Sequence, residues 1–142
     1  MAAISRADAT WEGDLMSGSG HVTPESGAFP ELPVSWASRA ERQHGKTSPE
    51  ELIAAAHASC YNMAFSNGLA KAGHKPERLS TRAEVEFVPG TGITSSTITV
   101  RGRVSGIGKD EFQKLAEEAK EGCPVSKALH GNVELKLNAI LE

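Results

Sequence analysis

Cysteine is scarce in this sequence: only Cys60 and Cys123 occur among 142 residues. Two cysteines cannot build the multi-bridge framework of a small secreted domain. They stand 63 positions apart, no CxxC is present, and the five histidines are scattered without metal-ligand spacing, so no zinc site is expected. A basic excess is missing too. Lys and Arg number 15 against 18 Asp and Glu, a net charge of −3, which argues against nucleic acid as a partner. The N-terminal MAAISRADATWEG lacks an apolar core, so no secretory signal is expected and the cytoplasm is the expected compartment. The longest mid-chain stretch free of Asp, Glu, Lys and Arg is Leu52–Ala70, and its 19 residues raise the question of a membrane span. The stretch is Ala-rich and carries His57, Ser59, Asn62, Ser66, Asn67 and Gly68. A buried helix of a soluble protein fits it better, and no membrane partner is expected.

What is present suits one folded domain spanning residues 1–142. Apolar residues make up 39% and charged residues 23%, which suits a single hydrophobic core rather than a disordered or fibrous chain. There is no internal repeat and no linker. Residues 1–46 are rich in Gly, Ser and Pro. Short strands are expected near Ala9–Asp14 and His21–Thr23 around the Ser17–Gly20 turn, with a second turn at Pro24–Gly27. Pro33–Ala37 reads as another strand, and Ser38–Lys46 as a charged loop. Thr47-Ser48-Pro49-Glu50-Glu51 is a strong helix start. Ser48 as N-cap puts Glu51 at the third position, and Thr47 as N-cap puts Glu50 there. The helix runs to about Ala72 and stops at Gly73, a length of about 36 Å.

The second half alternates. Thr81, Ala83, Val85 and Phe87 oppose Arg82, Glu84 and Glu86, and Ile98, Val100, Gly102 and Val104 oppose Thr97, Thr99, Arg101 and Arg103. These segments read as a hairpin around Pro89–Gly92. Asp110–Lys120 reads as a helix broken at Gly122-Cys123-Pro124. A short helix to about Leu129 and a strand over Val133–Ala139 complete the chain. The fold class is therefore α+β with a largely antiparallel sheet. The long helix is apolar on most sides, whereas one sheet covers one face. A second copy of the chain is the expected cover.

The two cysteines admit two readings. Cysteine is among the most buried residue types and packs as a small hydrophobe. In the cytoplasm, however, a cysteine pair is more often transient and catalytic than structural. Cys123 precedes a short helix whose free N–H groups are expected to face its sulfur and favour thiolate. Cys60, in mid-helix, needs an external cation, for which Arg39 and Arg42 are the candidates. His57, three residues before Cys60, is either a base for the thiol or a packed and hydrogen-bonded core histidine. Other features carry less. The Ser17–Gly20 run lacks the lysine and helix of a phosphate loop, and Ser59 has no GxSxG elbow.

SPEELIAAAHASC (48–60) followed by GCPVSKAL (122–129) resembles the OsmC (osmotically inducible protein C) family of the OsmC/Ohr thiol peroxidase group. WEGD (11–14), ESGAF (25–29) and GITSSTITVRGRV (92–104) are similar to it too. The resemblance implies an intertwined homodimer whose antiparallel sheets wrap long central helices, with active sites at the interface. It implies a cysteine-based peroxidase that reduces organic hydroperoxides, and hydrogen peroxide more weakly. By motif position, Cys60 matches the peroxidatic cysteine, Cys123 the resolving cysteine, and Glu50 the glutamate ten residues before the first cysteine. No arginine lies between Arg6 and Arg39, which points to the OsmC branch, where the supporting arginine precedes the long helix. Arg39 is its match and Arg42 the reserve. The implied cycle uses no cofactor and no metal, only an external thiol or dithiol reductant. Against it stand a non-enzymatic ligand-binding dimer and a thiol redox sensor.

Overall fold

The chain reverses between Gly13 and Gly18, earlier than the expected Ser17–Gly20 turn, in a computed structural model that describes residues 1–142, and Ser19 and Gly20 already belong to a strand. Strands β1 (Ala7–Glu12) and β2 (Ser19–Pro24) pair antiparallel, and β3 (Leu32–Val34) adds to β2 in the same sense. The expected strand over Pro33–Ala37 ends early. Ser35 caps a helix α1 (Trp36–Ala40) through a reciprocal box in which the Ser35 hydroxyl accepts from Ser38 N–H and the Ser38 hydroxyl accepts from Ser35 N–H. A five-residue helix has almost no apolar periodicity to read, so its signal lies in the cap alone. The remaining loop is tied down locally. Thr47 N–H donates to Pro33 O at 3.0 Å, and Ser38 Oγ donates to Thr47 O at 2.9 Å. These bonds close the unit Met1–Pro49; a second compact unit spans Glu50–Glu142.

The long helix α2 (Pro49–Lys71) begins on the proline, with Ser48 immediately before it. It ends in a Schellman motif: Gly73 has φ +87°, its N–H bonds to Ala70 O, and His74 N–H bonds to Leu69 O. His57, Tyr61, Phe65 and Leu69, four residues apart, form its buried stripe, while Ala55, Ala56, Ser59 and Met63 are exposed. No helix of the chain is long and apolar enough to cross a membrane.

In the second unit, β4 (Arg78–Val88) and β5 (Gly92–Arg103) form the long hairpin, with a bulge at Glu86/Phe87. Helix α3 (Lys109–Gly122) and helix α4 (Pro124–Leu129) follow, then β6 (Glu134–Leu141). The last strand runs parallel to β5, so the sheet is mixed rather than antiparallel throughout. The cause is the connection. A crossover through two helices returns the chain to the end from which β5 started, whereas a tight turn would have reversed it. Tyr61, Phe65 and Leu69 pack with Ile98 and Val100 of β5 and with Phe112 and Ala116 of α3. Burial of each large apolar side chain contributes about 1.5–3 kcal/mol. Phe65 and Phe112 meet with ring centroids 5.2 Å apart, and Tyr61 Oη donates to Ala116 O at 2.9 Å. Gly102 lets the Phe112 ring lie on the sheet: a Cβ there would stand 2.7 Å from Phe112 Cε2.

Candidate active site

Cys60 follows exposed Ser59 and precedes buried Tyr61, so it sits on the shoulder of the buried stripe and is half-buried. Cys123 is fully buried at the junction of two helices, as the C-cap of α3 and the N-cap of α4. Both are free thiols, and the fold brings them together: the Cys123 thiol lies near enough to act on the titration of Cys60. Segments 63 residues apart in sequence thus converge on one sulfur pair.

The electrostatics differ from the sequence expectation in one respect. The start of α4 was expected to serve Cys123. Cys123 makes no side-chain bond to the helix it caps, and the Val125 N–H instead bonds the Cys60 sulfur. The Cys60 sulfur of α2 takes the N–H that a capping side chain would otherwise meet. Burial raises the Cys60 thiol above the usual cysteine range, the Cys123 thiol adds to this, and Val125 N–H opposes it. Within Glu50–Glu142 the balance favours the protonated thiol.

His57 is fully buried and both ring nitrogens are occupied. Nδ1 lies 2.7 Å from Ser96 Oγ on β5, and Nε2 lies 2.8 Å from Ser126 Oγ on α4. Burial lowers its pKa below the usual histidine range. Of its two sequence readings, the packed and hydrogen-bonded one describes it. Ser96 and Ser126 fall within the stretches GITSSTITVRGRV and GCPVSKAL, but nothing in the sequence pairs either of them with His57. The one available signal was a buried-face histidine, which needs partners for two nitrogens.

Glu50 is 5% exposed in the first turn of α2. Ten residues of helix separate it from Cys60, about 15 Å along the axis. In the first unit, Arg39 lies in the last turn of α1 and lines a cleft of about 390 Å³ whose apolar walls are Trp11, Leu15, Val34, Trp36 and Pro49. Arg42 is used differently. Its backbone is left-handed, at φ 58°, and its guanidinium donates to Ser38 O and to Ser48 Oγ, both at 2.7 Å. It therefore braces the loop between α1 and α2. No three His, Cys, Asp or Glu side chains cluster in a way that could hold a metal ion.

Residues 42–138 match the family described as OsmC-like protein. The chain is 39% identical over 133 residues to peroxiredoxin OsmC of Escherichia coli (strain K12), covering 92% of each chain. It is 32% identical to organic hydroperoxide resistance protein-like 1 of Staphylococcus saprophyticus, covering 84% of this chain and 86% of that one. Among solved structures, an organic hydroperoxide resistance protein OsmC of Legionella pneumophila superposes with a TM-score of 0.70. Its identity is 28%, with 98% of this chain and 99% of that chain covered.

Proposed function

Because the chain belongs to the OsmC-like protein family, we propose that its peroxidase cycle runs through Cys60 and Cys123. The fold is the α+β fold of that family and the chain is a thiol-dependent peroxidase with hydroperoxide-related redox chemistry. The observation that carries the finer reading is the pair of neighbouring free thiols, one half-buried and one fully buried. The half-buried sulfur is the one a substrate reaches.

In this reading the Cys60 thiolate attacks the O–O bond of an organic hydroperoxide. The distal oxygen passes to sulfur as a sulfenic acid, and the alkoxide takes a proton and leaves as the alcohol. Hydrogen peroxide is the weaker substrate. The nucleophile must be ionised, yet burial and Cys123 hold Cys60 protonated within its own unit. A cation must therefore join the site, and Arg39 is assigned that role. Its guanidinium supplies both charge and hydrogen bonds to the peroxide oxygens. Arg42 bonds Ser38 and Ser48. Glu50 holds the arginine fork in place. The Cys123 thiol then closes a disulfide with loss of water, and an external thiol or dithiol reduces it by exchange. No cofactor or metal enters this cycle.

The working form is assigned as a homodimer with its sites at the subunit interface. Ala55, Ala56, Ser59 and the large apolar Met63 form a face of α2 open to solvent in one chain, suited to a second copy. The compartment is assigned as the cytoplasm, where thiol reductants are abundant.

The test is steady-state turnover of an alkyl hydroperoxide with dithiol, alongside single-cysteine variants. Cys60→Ser should abolish turnover, and Cys123→Ser should consume about one peroxide per subunit and stop at sulfenic acid. A wild-type protein that consumes a single equivalent in the presence of dithiol is a sensor instead. First-turnover activity in Cys60→Ser but not in Cys123→Ser would reverse the two roles.

A further inference from the structure

Helix α4 is six residues long, too short to be stable by itself. It buries a single side chain completely, and that side chain is polar: Ser126, 1% exposed. Its hydroxyl meets His57 Nε2 at 2.8 Å, and the other side of the ring is fixed by Ser96 at 2.7 Å. Ser96 sits in the central strand of its sheet, paired to Val85 of β4 and Leu135 of β6. A continuous buried chain of hydrogen bonds therefore runs from the sheet through His57 to α4. The two groups at the start of α4 that bear on Cys60, the thiol of the N-cap Cys123 and the Val125 N–H, lie within three residues of Ser126.

We propose that His57 is a positioning residue for disulfide closure, holding α4 through Ser126 so that the Cys123 sulfur stays against Cys60. This rests on the assignment of Cys60 and Cys123 made above. The step served is attack of the Cys123 sulfur on the Cys60 sulfenic sulfur. The S–S bond forms, the S–O bond breaks, and the hydroxyl leaves as water with the Cys123 proton. No further oxidant is needed, because the peroxide has already supplied the oxidising equivalents. Peroxide attack by Cys60 uses α4 only for one N–H, whereas closure uses α4 for the nucleophile itself. Loosening α4 should therefore slow closure far more than it slows the first step. The neutral ring suits the task, since it offers one donor and one acceptor and each serine hydroxyl adapts to either.

The experiment is rapid-mixing kinetics on reduced Ser126→Ala with an alkyl hydroperoxide and no reductant. Peroxide loss reports the first step, and non-reducing mass analysis with a sulfenic-acid trap reports closure. Displacement of a reacting group by an ångström costs about 10²-fold, so closure should slow by up to that factor while the first step changes less than about tenfold. Sulfenic acid should accumulate and overoxidise with excess peroxide. Equal slowing of both steps, or closure at the wild-type rate, overturns the proposal. Should Ser126→Ala not fold, His57→Gln reads the same pair of rates with one donor and one acceptor retained. Wild-type protein that forms no trappable sulfenic acid and no intrachain disulfide would instead overturn the underlying cysteine assignment.

Discussion

Glu50 and Cys60 lie on one helix and ten residues apart, which makes their cooperation a matter of length. At 1.5 Å per residue their Cα atoms are about 15 Å apart along the axis. A glutamate side chain, even meeting an arginine reaching back from the cysteine, does not cover that span. If Glu50 orients the arginine beside Cys60, it does so for the cysteine of the other subunit. Two inactive variants should then complement each other. In a mixed dimer of Cys60→Ser with Glu50→Ala, one site pairs an intact Cys60 with an intact Glu50 and the other has neither. Every dimer purified on both tags is mixed and has one working site of two, so activity should recover to about half of wild type. The Cys60→Ser parent should be inactive, and the Glu50→Ala parent should stay below that by the factor of about 10²–10³ expected when a preorganised charged donor is misplaced. The assay is co-expression with two tags, purification on both, and alkyl hydroperoxide turnover with dithiol. Tag-verified mixed dimers with no more activity than their parents would refute the shared site and leave Glu50 as a first-turn residue favoured by the helix dipole.

Three further outcomes follow from particular contacts. Arg39→Ala should raise the Cys60 thiol pKa and slow peroxide attack by about 10²–10³, whereas Arg42→Ala should mainly weaken the loop it braces. Thiol alkylation against pH separates the two, and a normal rate in Arg39→Ala with a slow Arg42→Ala moves the role to Arg42. Gly102→Ala should cost about 1–3 kcal/mol in urea unfolding, because its Cβ must displace the Phe112 ring; a cost under about 0.5 kcal/mol would show that the ring moves freely. The lowered pKa of His57 makes the unfolded chain the better proton acceptor. Stability is therefore unaffected by this group above the unfolded value of about 6.5 and falls below it, by up to about 1.4 kcal/mol per pH unit, until the folded His57 itself protonates. His57→Gln should flatten that part of the unfolding profile measured from pH 7 downward, and an unchanged slope would contradict it.

Much of this protein is written in short-range patterns. The start of α2 on Pro49, its stop at Gly73, the β4–β5 hairpin and the break at Cys123 each depend on residues within a turn of one another. SPEELIAAAHASC and GCPVSKAL, each a local stretch, together carry the resemblance to the family. Helix α1 was missed because five residues hold less than two turns of periodicity, leaving only the Ser35–Ser38 box as a sign. The parallel pairing of β6 was invisible because alternation specifies a face and not a direction. The His57 contacts are of the same kind. Ser96 and Ser126 are 39 and 69 positions away, and nothing in either local stretch distinguishes them from other serines. The ownership of the Val125 N–H was decided by where α2 passes α4, not by which residue caps the helix. Sequence alone determined where most elements start and stop, because capping and periodicity act within one or two turns. Tertiary structure decided which partner each buried polar group finds, because a hydrogen bond between distant segments exists only once the chain has folded them together.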